Sequence, residues 1–197
     1  MVKKYGFVID LRKCVACYGC QSSCRMENKM PMGVNRARVG IIDTGEYPNN
    51  HRFFLPVLCN HCDNPPCVKA CPVPGATYKR DDGLVLVNEK LCIGCGYCVK
   101  ACPYDARFIN PSTMVADKCT YCAHRIAEGL EEPACVRNCI GHARYFGDMN
   151  DPNSEISRLL AENETEVLRE GFGTKPNTYY IMDNRAKLLD VSGVDER

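Results

Sequence analysis

Apolar positions along this chain come in short bursts rather than long periodic faces. Val8-Ile9 ends in Asp10 four residues before a cysteine, and Leu86-Val87 ends in Asn88 four residues before another. Bursts this short, rich in branched and aromatic side chains, predict strands rather than amphipathic helices. Ala76–Lys79 and Leu84–Val87 flank Asp81-Asp82-Gly83, which predicts a hairpin. Further strands are predicted near Val39–Ile42, Phe53–Val57 and Tyr179–Met182. Helical signals are equally brief. Ala123–Gly129 reads as one short helix, and Asp151 as an N-cap with Pro152 at the first position predicts a second, running to about Ala161. The bursts also repeat, because Ala76-Thr77-Tyr78, Ala106-Arg107-Phe108 and Ala143-Arg144-Tyr145 each set a small residue before an aromatic. The unit is strand, loop, short helix, strand, and the fold class it predicts is α+β.

Composition changes the picture at one residue type. Sixteen of 197 residues are cysteine, about 8% and several times ordinary usage. A net charge of +1 excludes a polybasic nucleic-acid binder. No apolar run approaches the roughly 18 residues of a membrane span. The N-terminal MVKKYGFVIDLRKC has no apolar stretch for a signal peptide and no twin arginine. Alone, such a chain is expected in the cytoplasm, where thiols stay reduced and cysteines signify metal rather than disulfides.

The spacing names the metal. Cys14, Cys17, Cys20, Cys24 and Cys92, Cys95, Cys98, Cys102 both read C-x2-C-x2-C-x3-C; Cys59, Cys62, Cys67, Cys71 read x2, x4, x3; Cys119, Cys122, Cys135, Cys139 read x2, x12, x3. This is the spacing of [4Fe–4S] ferredoxins, in which three cysteines of a run hold one cluster and the fourth reaches the neighbouring cluster. A tight x2-x2 loop wraps three corners of a cubane, and the x3 cysteine lies a helical turn beyond. Disulfides are disfavoured without an export signal, and C-x2-C-x2-C triplets are awkward for a tetrahedral zinc ion. A three-iron cluster would leave one thiol of a run unused.

Four [4Fe–4S] clusters are therefore expected. Runs two and three lie on either side of the predicted hairpin, so residues 59–102 form one two-cluster ferredoxin-like module. Runs one and four are left to build the other, from residues 1–24 plus 103–147, around an insertion at 25–58. The expected ligand sets cross over: Cys14, Cys17, Cys20 with Cys139; Cys24 with Cys119, Cys122, Cys135; Cys59, Cys62, Cys67 with Cys102; and Cys71 with Cys92, Cys95, Cys98. Residues 1–147 hold 19 basic and 13 acidic residues, a surplus that offsets clusters of about −2 each. Arg25, Lys69, Lys100 and Arg137 flank the helical cysteines as candidate tuning charges, though any single one is more simply a solvated helix residue. His51, His61, His124 and His142 are expected to hydrogen-bond near cluster sulfurs or to pack. Met26, Met30 and Met32 are candidates for a docking surface. Residues 148–197 carry no cysteine and read as a tail wrapped on a partner, because Tyr179, Tyr180 and Ile181 would otherwise be exposed. No nucleophile–base pair or phosphate loop is present, so no catalytic residue is assigned.

The whole pattern, together with VIDLRKCVACYGCQSSCRMEN, LCNHCDNPPCVKACP, DGLVLVNEKLCIGCGYCVKACPYDAR and GTKPNTYYI, resembles the four-cluster electron-transfer subunits of molybdopterin (dimethyl sulfoxide reductase-type) oxidoreductases. The nearest look is to polysulfide and thiosulfate reductase beta subunits. The resemblance implies a line of four clusters joining a molybdenum or tungsten catalytic subunit to, in many members, a quinone-binding membrane anchor. It implies membrane association through partners, either in the periplasm by co-export with a signal-bearing catalytic subunit or in the cytoplasm. A free-standing polyferredoxin is the alternative, and a zinc-stabilised interaction module a weaker one. Two departures from the family pattern are Ile140-Gly141-His142 after Cys139, where proline is usual, and the longer Cys71-Pro72-Val73-Pro74-Gly75-Ala76.

Overall fold

The structure, a computed structural model, describes residues 2–130 and 132–182. Positions 183–197 of the tail expected over 148–197 lie outside the described residues. In chain order the elements are β1 (Tyr5–Asp10), α1 (Gly19–Glu27), β2 (Ala37–Thr44), β3 (His51–Leu58), α2 (Pro66–Lys69), β4 (Thr77–Lys79), β5 (Val85–Val87) and α3 (Tyr97–Lys100). There follow β6 (Arg107–Ile109), β7 (Ala116–Lys118), α4 (Ala123–Ala127), α5 (Ala134–Arg137), β8 (Arg144–Asp148), α6 (Glu155–Glu162), β9 (Thr165–Glu166), a 3-10 turn and β10 (Thr178–Ile181). Small strands and short helices make an α+β chain, as the burst pattern predicts.

Strand β1 is the hub. Phe7, Val8 and Ile9 are all fully buried, so both of its faces are covered, as in a central strand. β8 pairs with it antiparallel, Phe7 opposite Phe146, and β10 pairs with it parallel along the other edge, Ile9 opposite Tyr180. β9 extends the sheet, giving the order β8-β1-β10-β9. Alternation along β1 sends Phe7 and Ile9 into the main core with Tyr121 and Tyr180, and Val8 to the opposite face against Ile156 and Ile181. Gly147 is required here, since a Cβ at that position would meet Ile156 Cγ2 at 2.9 Å. The remaining strands form three antiparallel pairs, β2–β3, β4–β5 and β6–β7.

Two expectations change, and one strand is new. Tyr180 and Ile181 are buried by this chain itself, at 0% and 2% exposure, so the exposure that would call for a partner-wrapping tail does not arise. Within the segment, Thr165–Glu166 and Thr178–Ile181 belong to the central sheet. The helix near 152 starts later than Asp151-Pro152 suggests: Ser154 is its N-cap and accepts from Ser157 N at 3.2 Å. Asp151 accepts from Asn153 N in a turn ahead of it, because Asp and Ser compete for the same capping role and the later one has the acidic first turn behind it. Finally, β7 leads into run four with Ala116-Asp117-Lys118, a strand without an apolar burst to announce it.

Candidate functional site

Each run is built the same way. A loop carries its first cysteines, a short helix carries the third, and the fourth follows about a turn later: Cys20 and Cys24 lie in α1, Cys67 in α2, Cys98 in α3 and Cys135 in α5. The loops of runs one and three need left-handed backbone at matching places, Ala16 and Tyr18 in one and Gly94 and Gly96 in the other. At Gly94 a Cβ would stand 2.3 Å from Met114 O, so only glycine fits there. Helices α1 and α5 pack together, as do α2 and α3, which joins run one to run four and run two to run three.

Three hollows of similar size result. Cys14, Cys17, Cys20 and Cys139 line one of about 340 Å³. Cys24, Cys119, Cys122 and Cys135 line another of about 310 Å³, and Cys59, Cys62, Cys67 and Cys102 a third of about 330 Å³. In each, one thiol comes from a different run than the other three. Of the remaining thiols, Cys98 is buried and packs with Cys67, Val85 and Ala116, with Cys92 against that cluster. Cys92 Sγ accepts from Ala116 N at 3.4 Å, Cys71 Sγ donates to Val73 O at 3.3 Å, and Cys95 is exposed. All sixteen cysteines are free thiols.

The electrostatics define what the hollows accept. Burial pushes the thiols of Cys24 and Cys62 up to about 12 and those of Cys67 and Cys135 up to about 11, and converging thiolates add to the rise. As a bare set these groups would hold their protons; a cationic iron core displaces them. Buried cations complement the sulfurs. Arg144 and Arg107 are 3% and 4% exposed and line the first and third hollows. Both Nη atoms of Arg144, and Nε and Nη2 of Arg107, have no hydrogen-bond partner among the described residues. Burial opposes the charge on both arginines, yet nearby thiolates raise their pKa: Cys135 and Cys20 for Arg144, Cys67 and Cys59 for Arg107. Orphaned guanidinium N–H groups beside four thiols fit an anionic cluster whose sulfides accept hydrogen bonds. The backbone joins in, with Ala143 N donating to Cys139 Sγ at 3.3 Å and Tyr121 N to Cys119 Sγ at 3.4 Å.

Residues singled out from the sequence take other places. His61 is fully buried and stacked on Tyr121 at 3.8 Å; Val85 N donates to its Nδ1, so Nε2 donates to Cys119 O. Burial holds its pKa well below the ordinary value, so it is neutral. His124 pairs with Glu27, while His51 is exposed. Arg25 ties α1 to Pro31 O and Val34 O, and Lys69 donates to Asn64 Oδ1, which makes them helix-end anchors rather than buried charges. Met26 and Met32 are exposed and Met30 is buried. Sequence reasoning missed Arg107, Lys118 and Arg144 as a group. The available signal was the repeated Ala-Arg-aromatic motif, read only as a strand. Among the described residues no helix is long and apolar enough to cross a membrane.

Residues 50–149 match a family of 4Fe-4S dicluster domains. Over 185 residues the chain is 49% identical to the B subunit of tetrathionate reductase from Salmonella typhimurium, covering 90% of this chain and 72% of that protein. It is 43% identical over 192 residues to the B subunit of polysulfide reductase from Wolinella succinogenes, covering 94% and 97%. A putative iron-sulfur B subunit of dimethyl sulfoxide reductase from Halobacterium salinarum is 42% identical over 208 residues, covering 90% and 78%.

Proposed function

The chain belongs to the 4Fe-4S iron–sulfur B subunits of reductase complexes related to molybdopterin oxidoreductases, and from that premise we propose that it carries four [4Fe–4S] clusters and relays electrons for a molybdopterin catalytic subunit. The ligand sets are Cys14, Cys17, Cys20 and Cys139; Cys24, Cys119, Cys122 and Cys135; Cys59, Cys62, Cys67 and Cys102; and Cys71, Cys92, Cys95 and Cys98. The observation that carries this reading is that each of three hollows is lined by three cysteines of one run and a single cysteine of another. The sheet supports the two-module picture: β8, which follows run four, pairs with β1, which precedes run one, as β4 after run two pairs with β5 before run three.

Bound clusters supply one-electron redox chemistry; the protein supplies everything that makes it directional. Its thiols hold the iron, buried arginines and backbone N–H groups stabilise the sulfurs, and aromatic packing around Tyr121 and His61 keeps bulk water from the interior hollows. The exposed cysteines, Cys17 and Cys95, belong to runs one and three, which gives the clusters of those runs the contact with outside redox partners. One partner is the catalytic subunit; the other is a quinone-linked membrane subunit, through which the chain reaches the membrane. The relatives are named as reductase subunits, which favours this over a free-standing carrier.

Anaerobic purification from the native source tests the proposal. The protein should be brown, with about 16 iron and 16 acid-labile sulfide per chain, and should bring down a larger subunit containing molybdenum or tungsten. Stoichiometric zinc without sulfide would overturn it.

A further inference from the structure

We propose that three buried cationic side chains, Arg144, Lys118 and Arg107, stand between successive clusters of this chain and raise the potentials of the two clusters that each one separates. The inference rests on the four-cluster reading above and goes beyond it, to how the line of clusters is kept at usable potentials.

Arg144 lines the hollow of Cys14, Cys17, Cys20 and Cys139 and also faces Cys135 of the next. Arg107 lines the hollow of Cys59, Cys62, Cys67 and Cys102 and also faces Cys98 of the fourth set. Lys118 is 1% exposed. Its Nζ donates at 2.7 Å to the carbonyl of Cys119, a lining residue of the second hollow; burial lowers its pKa, and Cys59 and Cys67 of the third set oppose that. Each pair of neighbouring sets thus has one buried cation whose charge is coupled to thiols of both.

The arrangement makes sense only with anions beside it. Arg107 and Lys118 are directly opposite partners in the β6–β7 ladder, and like charges so placed repel. Among the described residues no carboxylate bridges them: Arg107 Nη1 donates to Thr77 Oγ1, at 3.4 Å, and Lys118 Nζ to a backbone carbonyl. Burying unpaired charge is costly, and clusters of about −2 each with their thiolates are the compensation. The repeat explains the register. Arg107 and Arg144 hold the same place in the Ala-Arg-aromatic motif, after runs three and four, while Thr77 holds it in the copy after run two and accepts from Arg107 instead. Lys118 lies on β7, which leads from run three into run four. A fixed positive charge favours the more negative, reduced form of each neighbouring cluster, so both potentials rise.

The test is a redox titration of the cluster-loaded protein in its purified complex, followed by electron paramagnetic resonance, for R144Q, K118Q and R107Q. In each variant two of the four titration steps should move to lower potential, with at least a tenfold fall in the reduced-to-oxidised ratio at fixed potential, about 59 mV for one electron. R144Q and K118Q should share one moved step, K118Q and R107Q another, and R144Q and R107Q none. Loaded variants with unmoved steps, or with all four moved alike, would overturn the proposal. Where a glutamine variant fails to load iron, the charge-conserving R144K, K118R or R107K decides: loading with unmoved steps supports the role of charge, and failure to load makes the residue a packing element and refutes it there. Fewer than four steps in the wild-type protein would instead sink the cluster count, a failure visible before any variant is made.

Discussion

Removing everything after Gly147 should destroy the protein rather than merely detach it from a partner. The deleted segment contains Ile156, Leu168, Tyr180 and Ile181, all buried at 8% exposure or less. At about 1.5–3 kcal/mol for each fully buried apolar side chain, their loss removes roughly 6–12 kcal/mol of gross burial. That is comparable to the whole stability of a typical domain, about 5–15 kcal/mol. The cut also strips β1 of its parallel neighbour, leaving Phe7 N and Leu11 N without Asn177 O and Ile181 O, and orphaning buried amides costs more still. Iron and sulfide per chain, measured after anaerobic purification of residues 1–147, should fall far below the full-length value, with loss of the far-ultraviolet dichroism of the fold. A chain ending at Met182 keeps every one of these contacts and should load normally. Full iron content in the 1–147 chain would refute the reasoning, and would return the segment to the role of an external wrap.

Other expectations are narrower. Cys102→Ser should alter the spectrum and potential of the cluster held by Cys59, Cys62 and Cys67, leaving that of Cys92, Cys95 and Cys98 in place; the reverse would show each run holding its own cluster. Gly94→Ala should lower the melting temperature well beyond Gly96→Ala, since both have positive φ, worth about 1–2 kcal/mol, but only the first meets a backbone oxygen, at 2.3 Å. Thermal melts of the two variants settle it. Ser154→Ala should cost about 1 kcal/mol, seen as a lowered melting temperature, while Asp151→Ala should cost less, because only Ser154 accepts from the first turn of α6.

What could be read from the sequence was whatever depended on neighbours along it. The hairpin around Asp81-Asp82-Gly83 forms β4 and β5 because both its turn and its strands are local. The α4 helix begins at Ala123 as its composition suggests, and β2 and β3 extend the short bursts at Val39–Ile42 and Phe53–Val57 by a few residues. The parallel pairing of β1 with β10 was invisible, since no local pattern links Phe7 to Thr178. The buried cations were missed for a physical reason. Hydropathy marks Arg and Lys as surface residues, and they go inside only where an anion repays the cost. Hydropathy and position therefore single out Arg25, Lys69, Lys100 and Arg137, at helix ends, instead of Arg107, Lys118 and Arg144, inside the strands. The same blindness hid β7, whose Ala116, Asp117 and Lys118 are all buried despite two charges; Asp117 there is paired with Arg36 at 2.8 Å.

Placing β1 at the centre of the sheet has a consequence for how the chain is made. β1 leaves the ribosome well before it is satisfied, because β8 and β10 follow it by more than a hundred residues. At about 5–20 residues per second, Phe7, Val8 and Ile9 wait on the order of ten seconds or more for their neighbours. With the ligand sets proposed above, Cys14, Cys17 and Cys20 wait in the same way for Cys139, whereas Cys59, Cys62, Cys67 and Cys102 emerge close together. Cluster insertion can therefore begin in the middle of the nascent chain, while the first strand still waits for its neighbours.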